Sequence, residues 1–361
     1  MLTAIIFIIV ISILIFVHEF GHFVVAKRAG MKVEEFGFGF PPRLWGLKRG
    51  DTTYSINWIP FGGFVKIYGE DGQDRADSGS FSSKSVGVRL GVVLAGVVMN
   101  FFFAMLLLML GNGLGLRIAI VDETTNTVAQ DKKVQVIQVV PESPAETGGL
   151  RVLDAIKEVR LPNGSIQSVR TPKDLQDIVT SAAGQRVGII TERGTERIEI
   201  PVTLRSNPPP GQGPLGVSLA LTGVVSYPWY QAIWRGAVDT VNLTINTVYG
   251  YGDLLAKLIT TGKLGADVSG PIGIASITGQ AARIGFSYLI QLIAIISVNL
   301  AVLNIIPFPA LDGGRALMLV IEKIKGSPVN VKVENAINTV GFFLLLTLMV
   351  LVTIKDIGKY F

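Results

Sequence analysis

Apolar residues gather in four long runs, separated by polar segments of very different length. Leu2–Val17 carries no charge, and its apolar character continues to Ala26. Val88–Leu116 contains GVVLAGVVMNFFFAMLLLMLG, Ile284–Ile306 contains LIQLIAIISVNLAVLNII, and Ala336–Ile354 contains GFFLLLTLMVLVTI. Each is close to the ~20 residues that cross a bilayer core as a helix. A cleaved leader is the rival reading of the first run. It is disfavoured because there is no basic flank before the run, no small-residue cleavage site, and polar, chemically loaded residues directly after it.

The segments between the runs read differently. Residues 31–87 hold FGFGF, TTYSINWIP and FGGFVKIYG, aromatic and glycine-punctuated stretches that predict strands. Residues 118–222 alternate apolar and polar positions. VQVIQVV is a strand pattern, ESPAETGG a turn into a short helix, and RTPKDLQDIVTSA a capped helix. RVGIITERGTERIEIPVTL predicts a hairpin around Arg193-Gly194. NPPPGQGP is a loop, and Pro228–Leu258 is amphipathic at helical spacing, expected either on the outer membrane surface or against the preceding β domain. The expected fold is therefore a polytopic α-helical membrane protein of about four spans, with a β-rich loop and one inserted β domain. Its divisions are 1–117, 118–222, a helical connector 223–283, and 284–361.

Composition sharpens this. Of 361 residues, 49% are hydrophobic and 16% charged, where a soluble domain carries nearer a quarter charged. There is no cysteine, so disulfides and thiolate metal sites are excluded and any transition metal must be held by His, Asp or Glu. Lys27–Arg89 holds ten Lys/Arg against seven Asp/Glu, while Arg117–Arg283 holds sixteen against fifteen. The short basic loop is expected on the cytoplasmic side. That places both termini and the long near-neutral segment outside. No basic run is interleaved with aromatics, so nucleic acid is not an expected partner.

The candidate chemistry sits at the end of the first run. His18-Glu19-Phe20-Gly21-His22 fits H-E-x-x-H, and the two histidines are the only ones in the chain. On a helix, positions i and i+4 share a face, so two imidazoles can hold one Zn²⁺ while the intervening Glu reaches its water as general base. Ionisable groups in an apolar helix are costly and point to function. The bland alternative is a juxtamembrane polar turn. Seventeen residues precede His18, about 25 Å of helix, so the site would lie just inside the cytoplasmic boundary. A catalytic zinc needs a third protein ligand, which here must be a carboxylate. Glu34, Glu35, Asp312, Glu322, Glu334 and Asp356 lie near the runs. Asp312 is the best candidate, in NIIPFPALDGG, where two prolines break the helix and Gly313-Gly314 permits close backbone approach. Taken alone, Asp-Gly-Gly would suggest a helix N-cap.

At these residues the sequence resembles the site-2 protease family, in particular its bacterial RseP-type intramembrane metalloproteases. HEFGH, FGFGF…INWIPFGGFVKIYGE, MNFFFA, SGPIGIA, SVNLAVLNIIPFPALDGGR and IEKIKGSPV carry the resemblance over nearly the whole chain. It implies that His18, His22 and Asp312 bind Zn²⁺ and that Glu19 activates water. It implies that Asn304 and Asn299 contact the substrate backbone, although either could instead bond between helices. Gly37, Phe38 and Gly39 would belong to a membrane-reentrant β element that presents an extended substrate by strand addition. Val121–Leu221 resembles one PDZ domain, where the best-known enterobacterial members carry two in tandem. Gly213-Pro-Leu-Gly-Val-Ser would be its loop for a peptide C-terminus, with an ordinary β-turn as the alternative. The implied activity is regulated intramembrane proteolysis of single-span proteins in the bacterial cytoplasmic membrane, such as anti-sigma factors or remnant signal peptides. The rival is a non-catalytic PDZ scaffold with a vestigial metal site, against which the retained Glu19 argues.

Overall fold

A computed structural model describes residues 2–72, 74–262 and 270–360. The start of SGPIGIA and residues 263–269 of the expected connector lie outside the described residues. The chain forms two compact units. One is 1–110, 234–279 and 290–361; the other is 111–233 and 280–289.

In the first unit, α1 (Leu2–Arg28) is apolar throughout and ends on Lys27 and Arg28, cations that complement the C-terminal end of the helix dipole. β1 (Val33–Arg49) and β2 (Thr52–Ile67) pair antiparallel, and each bends back on itself. Residues 35–38 pair with 53–56 on one side and with 63–66 on the other, while 43–49 pair with 52–57. The result is a folded ribbon whose outer segments are 43–49 and 62–67. Its far end exposes Leu44, Trp45, Leu47, Trp58 and Ile59. Such an apolar surface on a β element suits lipid rather than water. Near α1 the ribbon is anchored by Phe16, Phe20, Phe23 and Phe36, whose rings lie 4.6–6.4 Å apart.

The helix α2 (Val86–Leu114) follows, and later come α6 (Trp229–Thr261), α7 (Pro271–Ile284), α8 (Phe286–Ile305), α9 (Asp312–Lys325) and α10 (Val331–Tyr360). Among the described residues, four helices are long and apolar enough to cross a membrane: Leu2–Arg28, Val86–Leu114, Phe286–Ile305 and Val331–Gly358. These coincide with the four runs read from sequence. Arg89 makes a two-pronged ion pair with Glu322 at 2.6 and 3.1 Å, tying α2 to the helix that begins at Asp312. The two side chains are only 9% and 16% exposed. Replacing Arg89 by Met strands a buried carboxylate and should destabilise the chain by about 3–5 kcal/mol. The Arg89→Met/Glu322→Met pair should recover most of that in thermal unfolding.

From Trp234 onward, α6 belongs with this helical unit. Of the two expected placements, packing on the β domain is therefore not the one seen for most of its length. Its inner face carries Gly236, Thr240, Thr244, Thr247 and Tyr251, and its outer face exposes Trp234, Val238, Val241, Ile245 and Val248. A side chain at Gly236 would collide with Met109 of α2. The threonine hydroxyls bond to their own helix's carbonyls four residues back. Small residues on the packed face let neighbouring helices approach closely, and the threonine hydroxyls are satisfied within their own helix.

The second unit is an antiparallel sheet: β3 (Leu116–Ala119), β9 (Val217–Val225), β4 (Gln130–Val139), β5 (Ala155–Arg160), β7 (Arg186–Arg193) and β8 (Glu196–Thr203) in that order, with β6 (Ile166–Ser168) on β5. Three short helices, α3 (Glu123–Val128), α4 (Pro144–Gly148) and α5 (Pro172–Ser181), complete it. The core is Val136, Ile156, Val159, Leu175 and Ile189 with their neighbours. The hairpin at Arg193-Gly194 forms as the alternation predicts, Arg193 facing Glu196 and Gly194 at φ +65°.

α5 starts with a capping box. The Thr171 hydroxyl accepts from the Asp174 backbone N–H, and the Asp174 carboxylate accepts from the Thr171 N–H. Backbone N–H of Arg170, then the hydroxyl and N–H of Thr171, hold the Asp174 carboxyl below its usual range. A depressed carboxyl contributes stability above its unfolded value and loses it as pH falls through the folded one. Asp174→Asn should therefore lower the melting midpoint of the full chain at pH 6. The difference should close as pH drops below about 3.9, the value of a free Asp side chain, toward the folded one.

Candidate active site

His18, Glu19 and His22 occupy the last two turns but one of α1, where the helix is crossed by α2 and approached by the start of α9. The spacing of four sets both imidazoles on one face, and they are 9% and 8% exposed. Asp312 completes the group. Its Oδ2 lies 3.0 Å from His18 Nε2 and 3.5 Å from His22 Nε2, and the two Nε2 atoms are 3.2 Å apart. Among the described residues this is the group of His, Asp and Glu side chains that converges well enough to hold a metal ion.

Asp312 reaches the site because of its neighbours. α8 stops at Ile305, and the Pro307–Pro309 turn redirects the chain so that α9 opens on Asp312. The N-cap of α9 is Leu311, with no side-chain cap, so Asp312 is not spent on capping. A side chain at Gly313 would strike the carbonyls of Ile305 and Ile306, and one at Gly314 the Phe308 carbonyl. The glycine pair is what lets this turn close. Ala310 sits in the left-handed region at φ +71°, a conformation that costs a non-glycine residue about 1 kcal/mol or more.

The donor set fits a metal. Three ligands held tetrahedrally at about 2.1 Å from one ion lie about 3.4 Å apart, near the three separations here. Without a cation or shared proton, two imidazole lone pairs and a carboxylate oxygen at this range repel one another. Asp312 Oδ2 is buried with no well-formed hydrogen bond despite its closeness to both rings. The three atoms are aimed at a common point rather than at each other.

One face of α2 frames the histidines at intervals of four. Val92 O accepts from His22 Nδ1 at 2.8 Å. A carbonyl only accepts, so His22 Nδ1 carries a proton, and in the neutral ring Nε2 is then bare. One turn on, a Cβ at Gly96 would lie 2.6 and 2.7 Å from His18 Cε1 and Nε2 and closer still to His22 Nε2. A further turn on, Asn100 faces His18 Nδ1 at 3.4 Å. Gly21 is the matching glycine on α1: a side chain there would strike the backbone of Ala95. Gly96 and Asn100 escaped the sequence reading as functional residues. The available signal was an amide in the middle of an apolar run.

Glu19 is beside the group, and its Oε2 accepts from the Val65 backbone N–H at 3.1 Å. That bond brings the 62–67 segment alongside α1, and two turns earlier the Ser12 hydroxyl donates to Pro60 O and accepts from Gly62 N. The free edge expected at Gly37–Gly39 is not available at Gly37 and Phe38. Gly37 pairs with both Phe64 and Ser55, and Phe38 with both Gly63 and Ile56. A strand paired on both sides has no free edge to offer. The carbonyls of Phe38 and Gly39 also accept from Asn57 Nδ2 at 3.3 and 3.1 Å.

The two asparagines of α8 differ. Asn299 Oδ1 accepts from the Tyr251 hydroxyl of α6 at 2.7 Å and its Nδ2 donates to Ile295 O, so it bonds between helices here. Asn304 is half-buried and has no side-chain hydrogen bond among the described residues. Glu34, Glu322 and Glu334 are not in the group: Glu34 pairs with Lys66 and Glu322 with Arg89. Asp356 Oδ2 accepts from Gly273 N.

The sequence is similar to known proteins over nearly its whole length. The model of peptidase family M50 matches residues 6–348. A Clostridium perfringens protein named "Putative zinc metalloprotease" is 38% identical over 348 residues, 96% of each chain. The zinc metalloprotease RasP of Shouchella clausii is 30% identical over 445 aligned positions, 99% of each chain. RasP of Geobacillus kaustophilus is 29% identical over 442 positions, 98% of this chain and 97% of its own. With two histidines and an aspartate converging beside a glutamate, and with similarity running almost end to end, the chain belongs to peptidase family M50, the site-2 proteases.

Proposed function

We propose that this chain is an intramembrane zinc endopeptidase that cuts single-span membrane proteins already shortened on the outer side. The observation that carries the reading is the convergence of His18, His22 and Asp312 beside Glu19, toward the C-terminal end of an apolar helix. Bound by those three ligands, Zn²⁺ would supply a Lewis acid that polarises a scissile carbonyl and acidifies water. Glu19 takes the proton from the attacking water and returns it to the leaving amine. Asn304, unengaged on α8, holds the substrate backbone, and Asn299 joins it once released from Tyr251.

A substrate helix must be drawn out before its peptide bond can be reached. The 62–67 segment is paired on one side only, and its Val65 N–H is already at Glu19. It, rather than Gly37–Gly39, is the strand on which we expect an extended substrate to align. The basic 27–89 segment would face the cytoplasm, with both termini and the β unit outside. We read the β unit as a PDZ-like domain that takes a peptide C-terminus beside β9, near Gly213–Ser218. Anti-sigma factors and remnant signal peptides are the substrate classes proposed, in a bacterial cytoplasmic membrane.

The test is cleavage of a model single-span substrate by the purified chain in detergent. Exhaustive treatment with a zinc chelator should stop cleavage, and one equivalent of Zn²⁺ should restore it. Cleavage that survives removal of all metal would overturn the reading. Zinc binding without any cleavage of a panel of such substrates would favour the scaffold.

A further inference from the structure

We propose that Asn100 is a positioning residue for His18: its side-chain carbonyl accepts the His18 Nδ1 proton and so keeps Nε2 bare for the metal. The proposal rests on the zinc reading above. Asn100 lies in the middle of α2, is fully buried, and its Oδ1 has no hydrogen-bond partner. Its Nδ2 lies 3.4 Å from His18 Nδ1. Its backbone carbonyl accepts from Ser297 of α8 at 2.8 Å, which fixes the level of this residue in the bundle.

Oxygen and nitrogen of a carboxamide are interchangeable in shape, so which one faces the ring is decided by chemistry. With Nδ2 toward the ring, His18 Nδ1 must accept. The ring proton is then on Nε2, the atom that points at Asp312 and His22. A metal ligand cannot carry a proton there. Half a turn of the amide puts Oδ1 against Nδ1, which gives the buried carbonyl a donor and moves the ring proton to Nδ1, while Nδ2 takes the position where Oδ1 has no partner. His18 then matches His22, whose Nδ1 proton is already committed to Val92 O. Both histidines are thus held as the same tautomer by successive positions of one helix face, Val92 and Asn100, with Gly96 leaving room between them. Acceptors that orient a ligating histidine this way change metal affinity about 10–100-fold when removed.

The measurement is zinc affinity of the full chain in detergent, by competition with a chelator of known affinity, alongside thermal unfolding of the metal-free forms. Asn100→Leu removes the acceptor and should weaken zinc about 10–100-fold with metal-free stability little changed. Asn100→Asp keeps an acceptor and cannot donate when ionised, so it should hold zinc within a few-fold of wild type. If Asn100→Leu binds zinc as wild type does, the proposal fails. It fails equally if Asn100→Asp loses zinc as severely as Asn100→Leu, since the amide would then be acting as donor or as packing. Should Asn100→Leu not fold, the Asn100→Asp affinity decides alone. A wild-type chain that binds no zinc would overturn the zinc reading itself, a different result from any of these.

Discussion

Glu19→Gln should lower peptide cleavage on the order of 10²–10⁴-fold, the usual contribution of a general base, while zinc stays at the wild-type level. Gln has the shape of Glu, and its carbonyl oxygen can still accept from Val65 N–H, the bond Glu19 makes at 3.1 Å. The three converging atoms belong to His18, His22 and Asp312, so the ligand set is untouched. What is lost is a basic oxygen beside the position where water must be deprotonated. Cleavage rate and metal content measured on the same preparation check this. Cleavage within about tenfold of wild type would assign the proton to another group. Simultaneous loss of zinc would mean that Glu19 supports the ligands rather than the reaction.

Gly96→Ala should cost the site its metal. A single methyl group added there would lie 2.6 and 2.7 Å from His18 Cε1 and Nε2, well inside the contact distance of about 3.5 Å. Neither partner can retreat cheaply. α2 is held to α1 through the His22–Val92 bond and through the close approach of Gly21 to Ala95. The rings would have to swing away from the point at which Asp312 aims. We expect zinc occupancy to fall to background and cleavage to fall at least about 100-fold, in line with losing the ion's contribution. Gly91→Ala is the control. It is on the same helix with nothing within 4 Å of the added carbon, so it should leave zinc unchanged and stabilise by up to about 1 kcal/mol through helix propensity. Full zinc occupancy in Gly96→Ala would show that the rings tolerate the methyl and that the packing argument is wrong.

Much of this protein could be read directly from its residues. The four membrane helices follow from runs of apolar side chains, a local property that needs no partner to be recognised. His18, Glu19 and His22 follow from helical periodicity, which is also local, and the β7–β8 hairpin follows from alternation and a glycine. Asp312 was reached by elimination. The prolines and glycines around it mark a break in the helix, but only the structure shows that the Pro307–Pro309 turn brings α9 back to α1.

The tertiary structure decided the rest, because period tells which face a residue is on and not what that face meets. Gly96 and Asn100 look like two more small or polar residues in an apolar run until α2 crosses α1 at the histidines. Gly37–Gly39 reads as a strand, but only the pairing register reveals that Gly37 and Phe38 have neighbours on both sides and that 62–67 lies beside Glu19. The amphipathicity of α6 is visible in sequence, yet it does not say whether the apolar face is inside or out. Contacts with Met109 and Asn299 settle that the small, hydroxylated face is the packed one. Sequence by itself determined the elements and the chemical inventory, since both depend on neighbours along the chain. Which groups share a site was left to contacts between residues as far apart as 18 and 312, and those depend on how whole helices pack.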